Sequence, residues 1–450
     1  MTTFTGTDSK TEASILIDAR RTLYDINPLI YSGFTDTYKT PRHLPELAWN
    51  GVESNKFGTD EFMEWCEELG AEPYICLNMA TGTLMEALSW LEYCNSDKNT
   101  YYANLRRKNG REKPYNVKYW ALGNEMYGLW QVGAMTKEDY AKKAHQWGKA
   151  LKLLDPNIKL ILCGDTGYSD WDRYVLMNSV EYIDMHSIHI YTADQEHVPN
   201  VVAPLSAERA IEMTASFIDL ARINNRFTYP PTNDSHITHR PKICFDEWNV
   251  WMPTRAPGYE GAEEAYSLSD ALAVGVWLNV FVRQAKYLGM ANIAQSVNVI
   301  SPLMTTKGGI IRQTTYFVLY LFANYMQGKT LGVHLACGAY KGRTAPDWIG
   351  TTVDVPWLDV SGALSDDGFM NLSVVNASED DNILTHVSIP QGTEVKIFNV
   401  GGSKFEVTDT NMNGKERIQI QEDRWTARGK FIFEKRSYTL LRWRSDSRVQ

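Results

Sequence analysis

The sequence predicts an α/β protein in which a (β/α)8-type TIM barrel is followed by a C-terminal antiparallel β-sandwich of the jelly-roll kind. From about residue 29 to 300, short apolar strands alternate with amphipathic helices, which is typical of a parallel sheet covered on its outer face. From about 331 to 447 the helical periodicity vanishes, and strands alternate with turn clusters such as SEDDN and NVGGS. We expect three parts: an N-terminal tail and strand over 1–25, a barrel over 26–330 and a sandwich over 331–450.

Seven barrel strands are predicted from apolar runs: LIYSGF, PYICLNM, VKYWALGN, KLILCGD, YIDMHSIHIY, PKICFDEW and ANIAQSVNVI. The helices between them carry local signals. Thr83 and Glu86 form a capping box, and Thr136 precedes an acidic first turn. Gly70 ends a helix. Over this length a closed eight-stranded barrel is expected, but the polar stretch before Thr59 holds no helix followed by a strand, so only seven strands are recognisable.

The strands of the sandwich are indicated by MNLSVVNA, EVKIFNV and KFIFEKRSYTLLRW, which follow the last barrel helix TTYFVLYLFANYMQG. An early strand, ASILIDA, precedes the barrel. We expect this N-terminal strand to pair into the same sandwich.

The charge balance and the cysteine pattern argue against several classes of protein. A formal net charge of −9 argues against nucleic acid or an anionic membrane as the main partner. The N-terminus MTTFTGTDSKTEAS has neither a basic segment nor an apolar run, so no secretion signal is expected, and no segment is long enough to span a bilayer. The six cysteines lack any CxxC pair and are expected to be reduced core residues. We therefore expect a cytoplasmic protein, with an extracellular location as the alternative.

The buried strand in VKYWALGNEMYG, residues 117–128, ends abruptly on Gly-Asn-Glu. A second strand, in PKICFDEWNVW, ends in the same way on Asp246 and Glu247. In barrels the side chains that follow the carboxyl ends of the strands gather at one face. Asn124, Glu125 and one of the two later acids are therefore expected there. Two carboxylates from separate strands are what cleavage of a glycosidic bond requires.

Each of these acids also has an ordinary alternative, because a single strand-end carboxylate is more often a helix cap or an ion-pair partner. Asp246 and Glu247 also compete with each other. Neighbours on a strand point to opposite faces, so only one of them enters the site, and the residues alone leave that choice open. Two such acids in a tryptophan-rich chain favour the catalytic interpretation.

Other polar side chains follow the same strands. His189 and Tyr191 lie two residues apart in DMHSIHIYT and so share one face. A phenol there could donate a hydrogen bond to a catalytic carboxylate and hold it ionised, or it could pack beneath a loop. Gln295, late in the last strand, is suited to a sugar hydroxyl, or it has a structural role.

Aromatic and histidine side chains near the acids allow two further predictions. Three tryptophans flank the acids and could stack on a sugar, and at least one of them is expected to fill the core: Trp130, Trp248 and Trp251. Three histidines are not spaced like metal ligands: His186, His189 and His197. We therefore expect neither a metal nor a cofactor.

Around these residues the chain resembles the glycoside hydrolase family 51 α-L-arabinofuranosidases. The resemblance covers most of the chain, through FGTDEFMEWCEELGAEPYICLN, NTYYANLRRKNGREKPYNVKYWALGNEMYGLWQVG, LKLLDPNIKLILCG, MHSIHIYT, CFDEWNVW and AQSVNVISPLMT. It implies a (β/α)8 barrel with a jelly-roll sandwich. It also implies hydrolysis of terminal non-reducing α-L-arabinofuranosyl residues from arabinoxylan, arabinan and arabino-oligosaccharides, with retention of configuration. Family members often form homo-oligomers.

The resemblance also implies a role for each candidate. Glu125 matches the general acid/base and Glu247 the nucleophile, which makes Asp246 the supporting neighbour. In the substrate site, Asn124 matches the residue that bonds the sugar 2-hydroxyl, and Tyr191 matches the tyrosine that hydrogen-bonds the nucleophile. Gln295 matches a sugar-binding glutamine, and Trp251 matches an aromatic wall of the pocket. His189, beside Tyr191, is also expected to bind the substrate. A retaining mechanism places the two carboxyl groups about 5–5.5 Å apart and passes through a glycosyl-enzyme ester. Glu125 is expected to have a raised pKa, so that it can first act as an acid.

The chain departs from the family near residues 36–37. Family members follow the first strand with a GFxEHxGR-like stretch, a helix and a second strand ending in Arg-x-Pro-Gly-Gly-Asn, and the Glu, Arg and Asn help to build the arabinose pocket. Here YSGFTD runs into TYKTPRHLPELAW, Asp36 stands near the position of the family's Glu, and the Arg and Asn have no counterpart. One βα unit of several tens of residues is therefore predicted to be missing, which is expected to depress turnover strongly.

Two alternative functions stay open at this point. One is a catalytically impaired carbohydrate-binding homologue, which the missing βα unit favours. The other is a retaining endo-glucanase or xylosidase on the same barrel, which a cleft able to pass a polymer would favour.

Overall fold

The structure is a computed structural model that describes residues 2–27, 29, 32–33, 44–45, 52–53, 56–228, 239–252, 263–412 and 416–445. Asp36 and the predicted departure at 36–37 lie outside these residues. The chain divides into two compact units. The first unit consists of Met1–Phe34, Ile190–Ile211 and Phe245–Gln450, and the second unit of Thr35–His189 and Glu212–Cys244.

The strands are β1 Thr3–Thr7, β2 Glu12–Asp25, β3 Ser32–Gly33, β4 Leu44–Pro45, β5 Val52–Glu53, β6 Tyr74–Cys76, β7 Tyr119–Leu122, β8 Lys159–Leu162, β9 Met185–Thr192, β10 Lys242–Val250, β11 Leu288–Ile293, β12 Leu303–Thr306, β13 Gly309–Arg312, β14 Lys329–Gly338, β15 Leu358–Leu364, β16 Phe369–Asn376, β17 Ile383–Val387, β18 Glu394–Gly401, β19 Gln421–Thr426, β20 Phe431–Phe433 and β21 Ser437–Arg444. The helices are α1 Thr59–Leu69, α2 Leu84–Asn95, α3 Tyr101–Lys108, α4 Lys137–Leu154, α5 Asp170–Ser179, α6 His197–Val202, α7 Leu205–Thr228, α8 Leu268–Arg283, α9 Thr314–Tyr325 and α10 Ile349–Thr352.

The α/β part of the chain is built on a seven-stranded sheet with the order β3-β11-β10-β9-β8-β7-β6. The pairs β6–β7, β7–β8, β8–β9 and β3–β11 are parallel, and helices alternate with the strands along the chain, as the sequence predicts. The end strands of this order are β3 and β6, and along the chain the described elements between them are β4 and β5, which pair with each other, and α1. In the described residues this sheet has seven strands, the number predicted from the sequence.

In the second unit, the predicted helix boundaries are confirmed. The Thr83 hydroxyl accepts from the Glu86 backbone N–H, and the Glu86 carboxylate accepts from the Thr83 N–H at 2.7 Å. Thr136 caps α4, and Gly70 ends α1 in the left-handed conformation at φ 66°. The buried phenol of Tyr140 on α4 donates to the last carbonyl of β7 and accepts from the Cys163 N–H after β8, both at 2.8 Å. This bond pair fixes the ends of β7 and β8, from which the candidate residues project.

In the first unit, ten strands form the sandwich sheet in the order β19-β18-β21-β16-β15-β14-β2-β17-β20, with β1 also paired to β14. The N-terminal strand β2 pairs antiparallel with β14. The predicted antiparallel C-terminal sandwich is confirmed, since the pairs among its strands β14–β21 are antiparallel. The two N-terminal strands add parallel pairs, β1 with β14 and β2 with β17. The predicted limits of the three parts of the chain stay predictions.

Still within the first unit, α8 packs on the sandwich through a buried charged cluster. Arg283, at the end of α8, lies 2.8 Å from a Glu208 oxygen and 2.9 Å from an Asp359 oxygen. The amide of Asn279 donates to the Asp359 carboxylate at 2.7 Å. Because removing one partner would leave an unpaired buried charge, this cluster ties α8 firmly to β15.

Two sequence expectations about the whole chain can also be compared with the structure. All six cysteines are free thiols, and five are buried as expected, but Cys76 on β6 is exposed. No helix in the described part of the chain is both long and apolar enough to cross a membrane.

Candidate active site

The turn that follows β7 explains why a buried strand ends on an amide and a carboxylate. Gly123 has φ 80°, and a Cβ there would lie 2.8 Å from Met126 Cγ, so glycine is required. Glu125 itself has a left-handed φ of 46°. The chain therefore turns sharply after β7. Asn124 and Glu125 are both half-buried and do not belong to the core.

Two nitrogen atoms hold the Glu125 carboxylate in the second unit. His189 Nδ1, from β9, lies 3.1 Å from Oε1, and the Trp130 indole N–H donates to Oε2 at 2.9 Å. A Cβ on Gly128 would lie 2.4 Å from the Trp130 ring, so this glycine allows the indole to reach the carboxylate. The other His189 nitrogen lies 3.2 Å from the Ser187 hydroxyl. Glu125 is therefore oriented through both of its oxygens.

The raised pKa expected for Glu125 is wrong for this structure. Burial raises the pKa of the carboxyl, but the hydrogen bond and the positive charge of protonated His189, with the Trp130 N–H, lower it more, so the pKa lies below its ordinary value. The sequence reasoning weighed burial alone, and His189 lies 64 positions further along the chain. Since Glu125 and His189 interact this closely, their proton uptake belongs to the pair and not to either residue alone.

Replacing His189 with asparagine is expected to raise the pKa of Glu125, because the lowering interactions are lost while burial remains. A lowered folded-state pKa means that ionised Glu125 stabilises the fold above its unfolded pKa, and that this contribution is lost as the pH falls through the folded pKa. In His189→Asn that acid-dependent loss of stability should shrink. Carbon-13 NMR titration of glutamate-labelled protein measures the pKa, with Glu125→Gln identifying the signal. An unchanged or lower pKa in His189→Asn would contradict the role given to His189.

Glu247 lies in the first unit and is only 9% exposed. The Tyr191 phenol, from β9, donates to Glu247 Oε2 at 2.7 Å, and the Tyr191 ring lies 5.3 Å from the Trp251 ring in a T-shaped contact. A hydroxyl donor of this kind stabilises the ionised carboxylate. The predicted hydrogen bond between Tyr191 and an acid of DEW is therefore present, and that acid is Glu247. The role of Glu247 as the nucleophile stays a prediction. The expectation that β10 ends at the acids is wrong, because this strand continues for three residues to Val250.

Gln295 also lies elsewhere than predicted. It is half-buried and follows β11 by two residues, because that strand ends at Ile293. Its backbone N–H is 3.3 Å from the carbonyls of Val299 and Ile300, so it belongs to the loop after the strand. Its role as a sugar ligand stays a prediction, as does that of Asn124.

The three flanking tryptophans have different environments, as expected. Trp248 is fully buried and packs against Trp277 with a ring separation of 5.5 Å, so it belongs to the core. Trp130 is 61% exposed, and Trp251 is half-buried. The sequence singled out Trp130 as a surface for a sugar, but its hydrogen bond to Glu125 could not be anticipated. The signal in the sequence that could have indicated this bond is a tryptophan five residues after an acid at the end of a strand.

Other polar residues lie beneath Glu125 and were not predicted. Asp172 and His186 form a fully buried pair with a 2.9 Å separation between Oδ1 and Nε2. Asp165, after β8, accepts the backbone N–H of His189 with its carbonyl at 2.8 Å. The signal that could have revealed Asp172 is the motif Ser169-x-x-Asp172, which is a capping box with a short acid.

Comparison with known proteins agrees with this architecture. Residues 32–204 match the α-L-arabinofuranosidase 1 domain family, and residues 246–437 match the α-L-arabinofuranosidase C-terminal domain family. A probable α-L-arabinofuranosidase C of Aspergillus niger is 52% identical over 514 residues, covering 99% of this chain and 100% of the relative. The α-L-arabinofuranosidase C of Emericella nidulans is 59% identical over 413 residues, covering 89% of this chain and 80% of the relative.

Among solved structures, an arabinose complex of the α-L-arabinofuranosidase from Thermotoga maritima matches with a TM-score of 0.84 and 29% identity, covering 96% of this chain and 100% of the other. Together the barrel-type sheet, the C-terminal sandwich and these matches define a glycoside hydrolase with a TIM-barrel catalytic domain. The chain belongs to the glycoside hydrolase family 51 α-L-arabinofuranosidases.

Proposed function

We propose that the chain is a retaining, exo-acting α-L-arabinofuranosidase that removes terminal non-reducing α-L-arabinofuranosyl residues from arabinoxylan, arabinan and arabino-oligosaccharides. Glu247 attacks the anomeric carbon while Glu125 donates a proton to the leaving oxygen, so that the glycosidic C–O bond breaks and a glycosyl ester of Glu247 forms. Glu125 then removes a proton from water, which attacks the same carbon and breaks the ester bond. Two inversions leave the configuration of the released arabinose unchanged.

The observation that carries this proposal is the contrast between the partners of the two carboxylates. Glu247 accepts a short hydrogen bond from a neutral phenol, which favours the anion that a nucleophile needs. Glu125 instead pairs with an imidazole, which can give and take a proton. Different environments of this kind are how two carboxylates acquire separate roles in glycosidases. Asn124, Gln295 and Trp251 are proposed to bind the sugar.

Replacing Glu125 with alanine tests the acid/base assignment. For an arabino-oligosaccharide, whose leaving alkoxide needs a proton, kcat/KM should fall by about 10²–10⁴-fold. The leaving phenolate of 4-nitrophenyl α-L-arabinofuranoside needs no proton, so formation of the glycosyl ester should remain fast. The ester then accumulates, and kcat and KM should fall together. Steady-state kinetics on both substrates measures this split.

The matched control for this experiment is Glu138→Ala, which removes an exposed carboxylate from the first turn of α4 and should change neither substrate's kinetics. Equal losses on the two substrates would contradict acid catalysis by Glu125. Unchanged kinetics in Glu125→Ala would overturn the proposed function itself.

A further inference from the structure

We propose that Asp172 is a positioning residue for the proton shared by His189 and Glu125. This inference rests on the proposed function and deepens it, because it assigns a task to a buried group that touches neither the substrate nor the reacting atoms. The pathway runs within the second unit, from Asp172 through the loop after β8 to the backbone of His189.

Asp172 makes more bonds than its place in a helix requires. It lies in the first turn of α5 with no exposed side-chain surface, and its Oδ2 accepts from both the N–H and the hydroxyl of Ser169, which completes a capping box. The same carboxylate also accepts from the Asp165 N–H and the Gly167 N–H, each at 2.8 Å, and lies 2.9 Å from His186 Nε2. Five donors around one buried carboxylate fix its position, and the last three have no part in capping.

The loop that Asp172 holds lies against β9 with no room to spare. A Cβ on Gly164 would lie 1.9 Å from the Ser187 carbonyl oxygen, 2.5 Å from His186 Nε2 and 2.7 Å from Asp172 Oδ1. The glycine therefore lets the loop touch the strand that carries His189. Because His186 is also on β9, the pair between Asp172 and His186 clamps the loop to that strand from inside.

The clamped loop reaches the catalytic pair through one backbone bond and one nearby charge. The Asp165 carbonyl accepts the His189 N–H at 2.8 Å, and His189 Nδ1 lies 3.1 Å from Glu125 Oε1. Burial and the charge of Asp172 raise the pKa of the Asp165 carboxyl, while Ser169, His189 and Tyr127 lower it. The titratable groups near His189 in this unit are thus Glu125 and Asp165, and Tyr127 forms a hydrogen bond with the Asp165 carboxyl.

Loosening the clamp should therefore move His189, and with it the proton, relative to the leaving oxygen. A misplacement of about 1 Å can lower a rate by about 10²-fold. The loss should be confined to the step that needs the proton, which separates positioning from a general loss of structure.

The test compares Asp172→Asn with Asp170→Asn, which makes the same change two residues earlier in the first turn of α5, where the side chain is 53% exposed. In Asp172→Asn, kcat/KM for an arabino-oligosaccharide should fall by about 10²-fold, and that for 4-nitrophenyl α-L-arabinofuranoside by much less. Asp170→Asn should leave both unchanged. Equal effects of the two variants, or equal losses on both substrates in Asp172→Asn, would overturn the proposal.

A second measurement does not depend on turnover. Nitrogen-15 NMR of histidine-labelled protein, with His189→Asn identifying the signal, should show a shifted titration midpoint for His189 in Asp172→Asn but not in Asp170→Asn. An unshifted midpoint would overturn the inference. If Asp172→Asn unfolds, Ser169→Ala removes the capping hydroxyl alone and should leave the His189 midpoint in place. A shift in Ser169→Ala as large as that in Asp172→Asn would assign the effect to the cap and overturn the inference. Glu125→Ala still tests the proposed function separately.

Discussion

Replacing Glu247 with glutamine is expected to lower kcat/KM by on the order of 10⁴-fold or more, the largest effect of any single substitution in this chain. The amide keeps the size of the side chain and can still contact the Tyr191 phenol, but it lacks the charge needed to attack the anomeric carbon. Folding should be preserved, because the amide has the size of the carboxylate and its oxygen can still accept the hydrogen bond from the Tyr191 phenol. Release of 4-nitrophenol from the α-L-arabinofuranoside measures the loss.

Asp246→Asn is the matched control for Glu247→Gln, since Asp246 is the adjacent carboxylate on the same strand and is equally buried, at 5% exposure. Its effect should be far smaller than that of Glu247→Gln. A 2-fluoro-arabinofuranosyl donor with a good leaving group should label the unmodified chain once, on the peptide that contains Glu247. Mass spectrometry locates that ester. A label on Asp246, or an inactive Asp246→Asn beside an active Glu247→Gln, would reverse the assignment.

The strands were predictable because their determinants are local. Apolar runs such as those in β7 and β8 are buried on both faces of a covered sheet, and this pattern survives without any knowledge of the partners. Helix ends were predictable for the same reason, since the Thr83 and Glu86 side chains bond to backbone groups three residues away.

The limits of the strands near the site were less predictable. The sequence indicates that β10 stops at the acids, yet the strand runs on because the Asn249 amide bonds to the Ala294 carbonyl at 2.8 Å, a contact 45 positions away. The apparent end of β11 was misplaced for a similar reason, since Gln295 belongs to a loop closed by bonds to Val299 and Ile300. A polar residue in an apolar run is interpreted as the end of the strand unless the distant residue that it bonds to is known.

The electrostatics of the site could not be derived from the sequence at all. The direction of the Glu125 pKa shift depends on whether burial or the His189 contact dominates, and only coordinates show that contact. The clamp of Asp172 and His186 has the same origin, because its members lie 14 positions apart and on different elements. The sequence shows the acids and histidines, but it does not show which acid contacts which histidine.

Restoring a βα unit at residues 36–37 is expected to raise kcat/KM by about 10²-fold or more over that of the 450-residue chain. The alignment with the Aspergillus niger relative spans 514 positions, 64 more than the 450 residues of this chain, which is enough for one helix and one strand. In the described residues β3 and β6 are the end strands of the sheet order, and residues 36–37 lie between them along the chain. The segment of that relative is the natural insert.

The insert should act in two separable ways. It should lie beside β6 and stabilise the sheet, and it should return the Arg and Asn that the family resemblance places in the arabinose pocket. In the second unit a cavity of about 190 Å³ lies beside β6 and is lined by Leu77, Asn78, Thr83 and Trp90, and we expect the added chain to cover it. The reactivity of Cys76 measures whether this surface is covered, because Cys76 is exposed and the other five cysteines are buried.

Labelling with a thiol reagent should therefore modify Cys76 in the 450-residue chain and leave it protected after the insertion, with a higher melting temperature. An insert in which the Arg and Asn of its Arg-x-Pro-Gly-Gly-Asn motif are replaced by alanine should restore protection and stability but not activity. A glycine-serine linker of equal length should restore none of them. Full activity of the 450-residue chain before any insertion would contradict this prediction. Binding groups worth a few kcal/mol each cannot be absent from a working pocket unless other side chains replace them, so this fold would then form its sugar site without the eighth strand.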